Sequence, residues 1–414
     1  MGKNCLQQEV IAWEDERVNP EFFKATSARF LFSLSVQSQA VLMGWQMYER
    51  TRDPWMLGLV GLCAALPALL LAPFSGWWVD RGNPLRIYQG VMVISLISVL
   101  IAWGSTSPAG LFLAAFLTGL VRSFSSPSMN SIIPRIISRG EIKRFSAYTT
   151  LAFQLAGVVG PGLSGILLGA GGYTFPYILC VSALVVGSLT LWTMENRFHP
   201  LPQDRVHSPD WKNELLSGFR YVWSHPVLLS AMSLDMFAVL FGGVTAMLPV
   251  FAVEVLHTGP VGLGWLRAAP AMGAILMGTV LIRHPVSTGA GSKLLGSIAG
   301  FGLCILVFGL SKSYAVSFAA LMLSGALDSV SMVIRGAIVQ LCSPEGLRGR
   351  IAAVNAVFIG SSNEIGEFES GVAAKLLGTV PSVLFGGCMT LLTVAWVGWK
   401  SAEIRNLDLS RLEK

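Results

Sequence analysis

The sequence predicts an all-α membrane protein, with twelve transmembrane helices in two pseudo-symmetric six-helix bundles. Three observations carry that expectation. The 414 residues are 53% hydrophobic and only 13% charged, with mean hydropathy +0.62. Soluble proteins carry about 25% charged residues, so this chain cannot cover itself with a water-facing surface. Apolar stretches of bilayer length, roughly 20 residues at 1.5 Å each, recur along it. Finally, one constant offset carries Leu57-Gly58 onto Leu263-Gly264, and Leu117, Gly119, Ser123 and Ser125 onto Leu323, Gly325, Ser329 and Ser331. The same offset carries Arg144 onto Arg350, Ala147 onto Ala353, Gly160 onto Gly366 and Gly165 onto Gly371. A parallel repeat of six spans plus six places a substrate site between the halves near midplane.

Residues 1–21 are polar and mixed in charge, without the apolar core of a signal peptide, and 1–27 read as a cytoplasmic N-terminal segment. The first bundle, 28–194, holds spans at 28–48, 56–79, 85–103, 110–133, 145–169 and 177–194. The interval 195–226 is the longest polar one. It contains Pro200, Pro202, Asp204, Arg205 and Asp210, then an amphipathic run from Trp211 to Trp223 suited to a membrane surface. The second bundle, 227–399, holds spans at 227–253, 262–282, 291–310, 316–341, 351–378 and 383–399, and 400–414 is a polar tail. Arg81, Arg86, Arg135, Lys143, Arg283, Lys293, Arg348 and Arg350 all fall in alternate loops, while the opposite loops carry little beyond Arg50, Arg52 and Lys312. Cationic loops stay in the cytoplasm, so both termini are expected there. Trp45, Trp55, Trp77, Trp78, Trp103, Trp265, Trp396 and Trp399 lie near span ends, where amphipathic rings favour the interface.

Enzyme signals are missing. The five histidines (His199, His207, His225, His257, His284) sit in loops or at span ends, and no GxxxxGK[ST] phosphate loop is present. The six cysteines are scattered without CxxC, so neither a disulfide framework nor a metal site is expected. The net charge of +6 follows from the loop asymmetry and calls for no nucleic-acid partner. No cofactor is expected. The expected partners are the bilayer, protons and a small-molecule substrate, and the expected state is a monomer.

Ionisable residues inside apolar spans carry the chemistry, because a charge at bilayer depth costs about 2.5–3.5 kcal/mol and faces protein or water. Arg122 lies about 13 residues into the fourth span, roughly 20 Å deep. It suits either an anionic substrate or carboxylate in a cavity, or a structural ion pair. Asp235 is about 8 residues into the seventh span, roughly 12 Å deep, and Arg335 reaches a similar depth on the tenth. They suit a structural or gating bridge. Asp328 and Glu364 fall near midplane, and Glu364, Glu367 and Glu369 follow closely on the eleventh span. Crowded carboxylates in a low dielectric resist ionising, so one can hold a proton near neutral pH. The alternative is that they neutralise Arg335, Lys375 and Arg267. Glu254 and Arg267, near the ends of spans seven and eight, are expected to pair structurally.

Gly76-x-x-x-Asp80-Arg81, between spans two and three, resembles the signature loop of the major facilitator superfamily, in which a carboxylate at a helix end pairs with charges on a neighbouring helix and holds the inner gate. Here Asn83-Pro84-Leu85 interrupts the usual continuation, and the matching loop of the second half, Arg283-His284-Pro285, lacks the carboxylate. Gly157, Gly160, Pro161 and Gly165 in the fifth span resemble the superfamily's antiporter motif, where small residues permit close packing and proline bends the helix. Generic glycine packing is the alternative. Ser343-Pro-Glu-Gly-Leu-Arg348-Gly-Arg350, with Asn355, Asn363, Glu364 and Gly366, is similar to the branch containing bacterial drug efflux pumps and enterobactin-type siderophore exporters. That resemblance implies a proton-driven carrier in the bacterial inner membrane, exporting a small amphipathic molecule by alternating access. An importer of a siderophore, sugar or organic acid on the same fold is the alternative. A non-transporting receptor or scaffold is the alternative from another class.

Overall fold

The computed structural model describes residues 20–137, 142–194, 211–284, 286, 288–344 and 347–409. The segments 1–19 and 195–210, and the last residues of the tail, lie outside the described residues. The first half consists of α1 (Pro20–Thr51), α2 (Pro54–Arg81), α3 (Pro84–Gly104), α4 (Pro108–Ile136), α5 (Ile142–Gly171) and α6 (Thr174–Trp192). A shorter helix, α7 (Trp211–Ser224), precedes the second half. That half holds α8 (Pro226–Gly242), α9 (Gly259–Arg283), α10 (Ala290–Leu310), α11 (Tyr314–Leu341), α12 (Arg348–Leu377) and α13 (Thr379–Lys400), and α14 (Ala402–Arg405) follows.

Helix starts are written locally. Pro54, Pro84, Pro108 and Pro226 occupy first-turn positions, where the missing N–H costs nothing and φ is pre-set. Asp53 accepts from the Trp55 N–H at 3.0 Å, and Asn83 caps Leu85 and Arg86 at 3.0 and 3.2 Å.

Among the described residues, ten helical segments are long and apolar enough to cross a membrane. Their outer surfaces are greasy: Ile282 and Trp399 are 83% and 80% exposed, and a surface of such residues belongs in lipid. The helices α1 and α12 are as long but more polar, for different reasons. In α1 several polar side chains are spent inside the first half. Gln39 donates to Ser98 at 2.8 Å, Tyr177 donates to Gln46 at 2.8 Å, and Ser38 donates to the Gly160 carbonyl at 3.2 Å. The polarity of α12 belongs to the site described below.

The two halves repeat one packing pattern. In the first, α1 packs on α5 and α6, α2 on α4, and α3 on α4 and α6. In the second, α8 packs on α12 and α13, α9 on α11, and α10 on α11 and α13. The seam follows the same rule, since α5 packs on α9 and α12 on α2.

The seventh span departs from its expected continuity. It breaks after α8 at Gly242-Gly243, resumes as short pieces Thr245–Met247 and Leu248–Val250, and ends in a π-helical turn, Phe251–Val255. Two glycines followed by Pro249 cannot sustain a regular helix, and the carbonyl freed at Gly243 is taken by the Ser370 hydroxyl at 2.9 Å.

On the basic end, α7 is fastened to the α11–α12 turn. Arg350 donates to Ser217 at 3.0 Å and Tyr221 to the Cys342 carbonyl at 3.1 Å. Gly218 lies so close that an added methyl would sit 3.0 Å from the Arg350 carbonyl oxygen. Leu216 and Trp223 face outward.

Candidate functional site: charged pairs at a seam between two halves

Two charged clusters occupy the middle of the molecule. The first straddles the seam. Arg122, at the centre of α4, reaches across to Glu364, at the centre of α12, with Nη1 to Oε1 at 2.5 Å. The Arg122 side chain is 47% exposed although it sits mid-helix, whereas that of Glu364 is 5% exposed. The second Glu364 oxygen, Oε2, is buried and accepts no hydrogen bond among the described residues. Glu367 and Arg267 complete the cluster, Arg267 standing in the field of both Glu367 and Arg122. Glu367 fits because α2 presents Gly61 to it: a methyl there would sit 2.7 Å from the Glu367 Cβ.

The second cluster lies wholly in the second half. Arg335 on α11 forms a buried ion pair with Asp235 on α8, and its Nε donates to Ser331 at 3.2 Å. Asp328, one helical face along α11, lies 4.0 Å from the same guanidinium, with 38% of its side chain accessible. Two carboxylates therefore share one arginine.

The structure separates some expected partners and joins others. Asp235 and Arg335 pair, as their depths suggested. Asp328 and Glu364 do not share a cluster, because α11 and α12 hardly touch: α12 packs on α2 and α8 instead. Glu254 and Arg267 do not pair either. The π-helical turn rotates Glu254 towards α1, where it accepts a hydrogen bond from the Tyr48 hydroxyl of the other half. Lys375 stands over the Trp55 ring at 5.0 Å and makes no ion pair among the described residues. Glu369 makes no ion pair among the described residues.

The gating motifs also have definite places. Asp80 is exposed and makes no ion pair among the described residues, while Arg81 stacks over Trp77 at 4.3 Å. The side chains of Lys143 and Arg144 lie outside the described residues. Gly76 meets nothing within 4 Å. Gly157 faces Ala271 on α9, and Gly160 faces Leu34 and Ser38 on α1. Pro161 lies inside α5, next to that contact. Gly165 crosses Gly264, a methyl on the former reaching within 2.8 Å of the latter's Cα, and Gly58 crosses Gly371 just as closely. Arg348 donates to the Ser343 carbonyl at 3.3 Å and Asn363 to the Ile359 carbonyl at 2.8 Å.

The contacts between halves run from the midplane to the end opposite the basic one: Arg122–Glu364, Gly61–Glu367, Trp55–Phe368, Gly58–Gly371, Gly165–Gly264 and Tyr48–Glu254. Sequence reasoning overlooked Gly61 and Tyr48. It also overlooked a relation available to it, since the offset that carries Leu117 onto Leu323 carries Arg122 onto Asp328 and Gly61 onto Arg267. The repeat thus places unlike residues at equivalent midplane positions.

Two six-helix halves meeting on a charged midplane seam define a secondary carrier. A sequence profile of the Major Facilitator Superfamily matches residues 25–367, and the chain belongs to that family, whose members move small molecules across membranes. The chain is 26% identical to the enterobactin exporter EntS of Citrobacter koseri over 342 residues, covering 81% of this chain and 80% of the relative. Among solved structures, a bacterial homologue of the human lysosomal transporter Spinster in an inward-facing, unoccupied conformation superposes with a TM-score of 0.70. It is 15% identical, with 95% of this chain and 97% of that one covered. A POT family transporter in complex with 5-aminolevulinic acid gives 0.72 at 12% identity, covering 92% and 96%. These two likenesses show the fold.

Proposed function

We propose that this carrier exports a small amphipathic, siderophore-like molecule in exchange for protons, in a bacterial inner membrane, as a monomer with both termini in the cytoplasm. The observation that carries the reading is the Arg122–Glu364 pair, a charged contact across the seam at mid-depth with one buried carboxylate oxygen unspent. A carboxylate so placed can trade its arginine for a proton, and that exchange alters the bond between the halves. The enterobactin exporters among its relatives support the substrate class, and the antiporter-like Gly157 and Gly165 of α5, which face the other half, support the direction.

In this reading the bundles 28–194 and 227–399 rock about the seam, with 195–226 joining them, and the proton gradient is the energy source. The described contacts between the halves lie toward the end opposite the basic one, which supports a cleft open to the cytoplasm. Arg122, Glu364, Glu367 and Asp328 line the substrate and proton path. Asp235 and Arg335 hold α8 to α11, and the Arg348 and Arg350 turn moves with α7. Inverted vesicles test the reading. An imposed pH gradient should drive uptake of a catecholate siderophore, and Glu364→Gln should abolish it. Uptake without a gradient, or unchanged in Glu364→Gln, refutes proton exchange at this residue.

A further inference from the structure

The closed end of the seam carries a half-open cavity of about 270 Å³ walled by both halves. Trp45, Tyr48, Glu49 and Arg52 come from the first half, and Val253 and His257 from the second. Three uncommon backbone features meet there. Arg52 (φ 52°) and His257 (φ 50°) are the two non-glycine residues with left-handed backbone among the described residues. Only a few per cent of non-glycine residues adopt it, and such strain collects at ligand clamps and switches. The third feature is the π-helical turn Phe251–Val255, a rare form that is frequent at functional sites.

The charges at the wall are arranged unusually. Glu49 and Arg52 stand three residues apart, a spacing at which opposite charges ordinarily pair on a helix. Here they do not, because the left-handed backbone at Arg52 takes it out of the helix, and its guanidinium stands 5.7 Å from the centre of the Tyr48 ring. Glu49 accepts the Tyr173 hydroxyl on Oε2, which leaves Oε1. The exposed Glu49 Oε1, with no hydrogen bond among the described residues, and the exposed Arg52 guanidinium, which also bonds the Tyr48 side chain, thus flank one cavity, with Trp45 and Tyr48 as its aromatic wall.

We propose that this cavity binds a small aromatic zwitterion, its ammonium on Glu49, its carboxylate on Arg52 and its ring against Trp45 and Tyr48. The volume lies just below the roughly 300–1,000 Å³ of pockets for drug-sized ligands, which suits one ring with a short charged tail. The site is separate from the midplane clusters and does not rest on the export reading. Because both halves supply walls, the ligand fits only the state closed at this end and holds the protein in it.

Calorimetric titration of the purified full chain with L-phenylalanine tests the proposal, with hydrocinnamate and phenethylamine as probes lacking one charge each. The expected result is binding at about 1 mM or tighter for phenylalanine, and at least about tenfold weaker for the other two. Phenylalanine should also raise the Tm of the wild type. Both effects should vanish in Glu49→Gln and in Arg52→Asn, asparagine being chosen because it tolerates left-handed backbone. They should persist in Lys293→Gln, an exposed position on α10 away from the seam. Absence of phenylalanine binding, equal binding of the three compounds, or loss in Lys293→Gln with retention in Arg52→Asn would each overturn the assignment.

Discussion

Arg122 and Glu364 sit at the centres of α4 and α12 and form an ion pair that joins the two halves, one partner open to water and the other enclosed. That asymmetry separates what the pair contributes to stability from what it contributes to transport. Water screens the arginine, so a double-mutant cycle on Arg122→Gln and Glu364→Gln should return a coupling of only about 1 kcal/mol in thermal unfolding. Transport should nevertheless fall to background in each single variant, measured in vesicles. A coupling of several kcal/mol with transport retained would make the pair a mere brace.

Asp235 and Arg335 should behave in the opposite way. Both are buried, and Asp235→Asn leaves the guanidinium without its close counter-charge. A loss of about 3–5 kcal/mol is expected, read from unfolding in detergent. Replacing both with apolar residues of similar volume should recover most of it, whereas a catalytic proton carrier at Asp235 would leave that double variant inactive though stable.

At the seam, Gly58→Ala puts a methyl 2.8 Å from the Gly371 Cα. Overpacking of this kind costs about 1–3 kcal/mol, and backbone against backbone cannot yield by changing a rotamer. The closed state should be penalised. Spin labels near Trp45 and Val253 should report longer distances than in the wild type, and Gly264→Ala should reproduce the effect from the other side.

Tyr48→Phe removes the hydroxyl that Glu254 accepts across the halves. A hydrogen bond to a charged group is worth about 1.5–3 kcal/mol, so the same label pair should show an increased open population, with the fold unchanged by circular dichroism.

Gly218→Val should dislodge α7, because its side chain would meet the Arg350 backbone. Limited proteolysis after Trp211 should accelerate, while α1 to α6 keep their protection.

Most of the helices were legible because apolar length and proline starts are local properties. The break at Gly242-Gly243 was not, since hydropathy alone runs through it. Depth along a helix correctly joined Asp235 to Arg335, as both partners lie in one half and on adjacent helices. Depth could not join Arg122 to Glu364, because which face of α12 meets α4 depends on how the halves dock. Glu254 was expected to pair with Arg267 because both lie near the ends of adjoining spans, and a single π-helical turn was enough to send it to Tyr48 instead. Gly61 carried no sign of its role, because a glycine that makes room for a carboxylate looks like any other.

The crossings Gly58–Gly371 and Gly165–Gly264 are related by the internal repeat, and in both of them the contact is bare main chain. A bearing without side chains has no interdigitated teeth to disengage. The two lobes can swivel on it through many cycles with nothing to repack, which leaves the free-energy difference between their orientations to be set by the few polar bonds elsewhere on the seam.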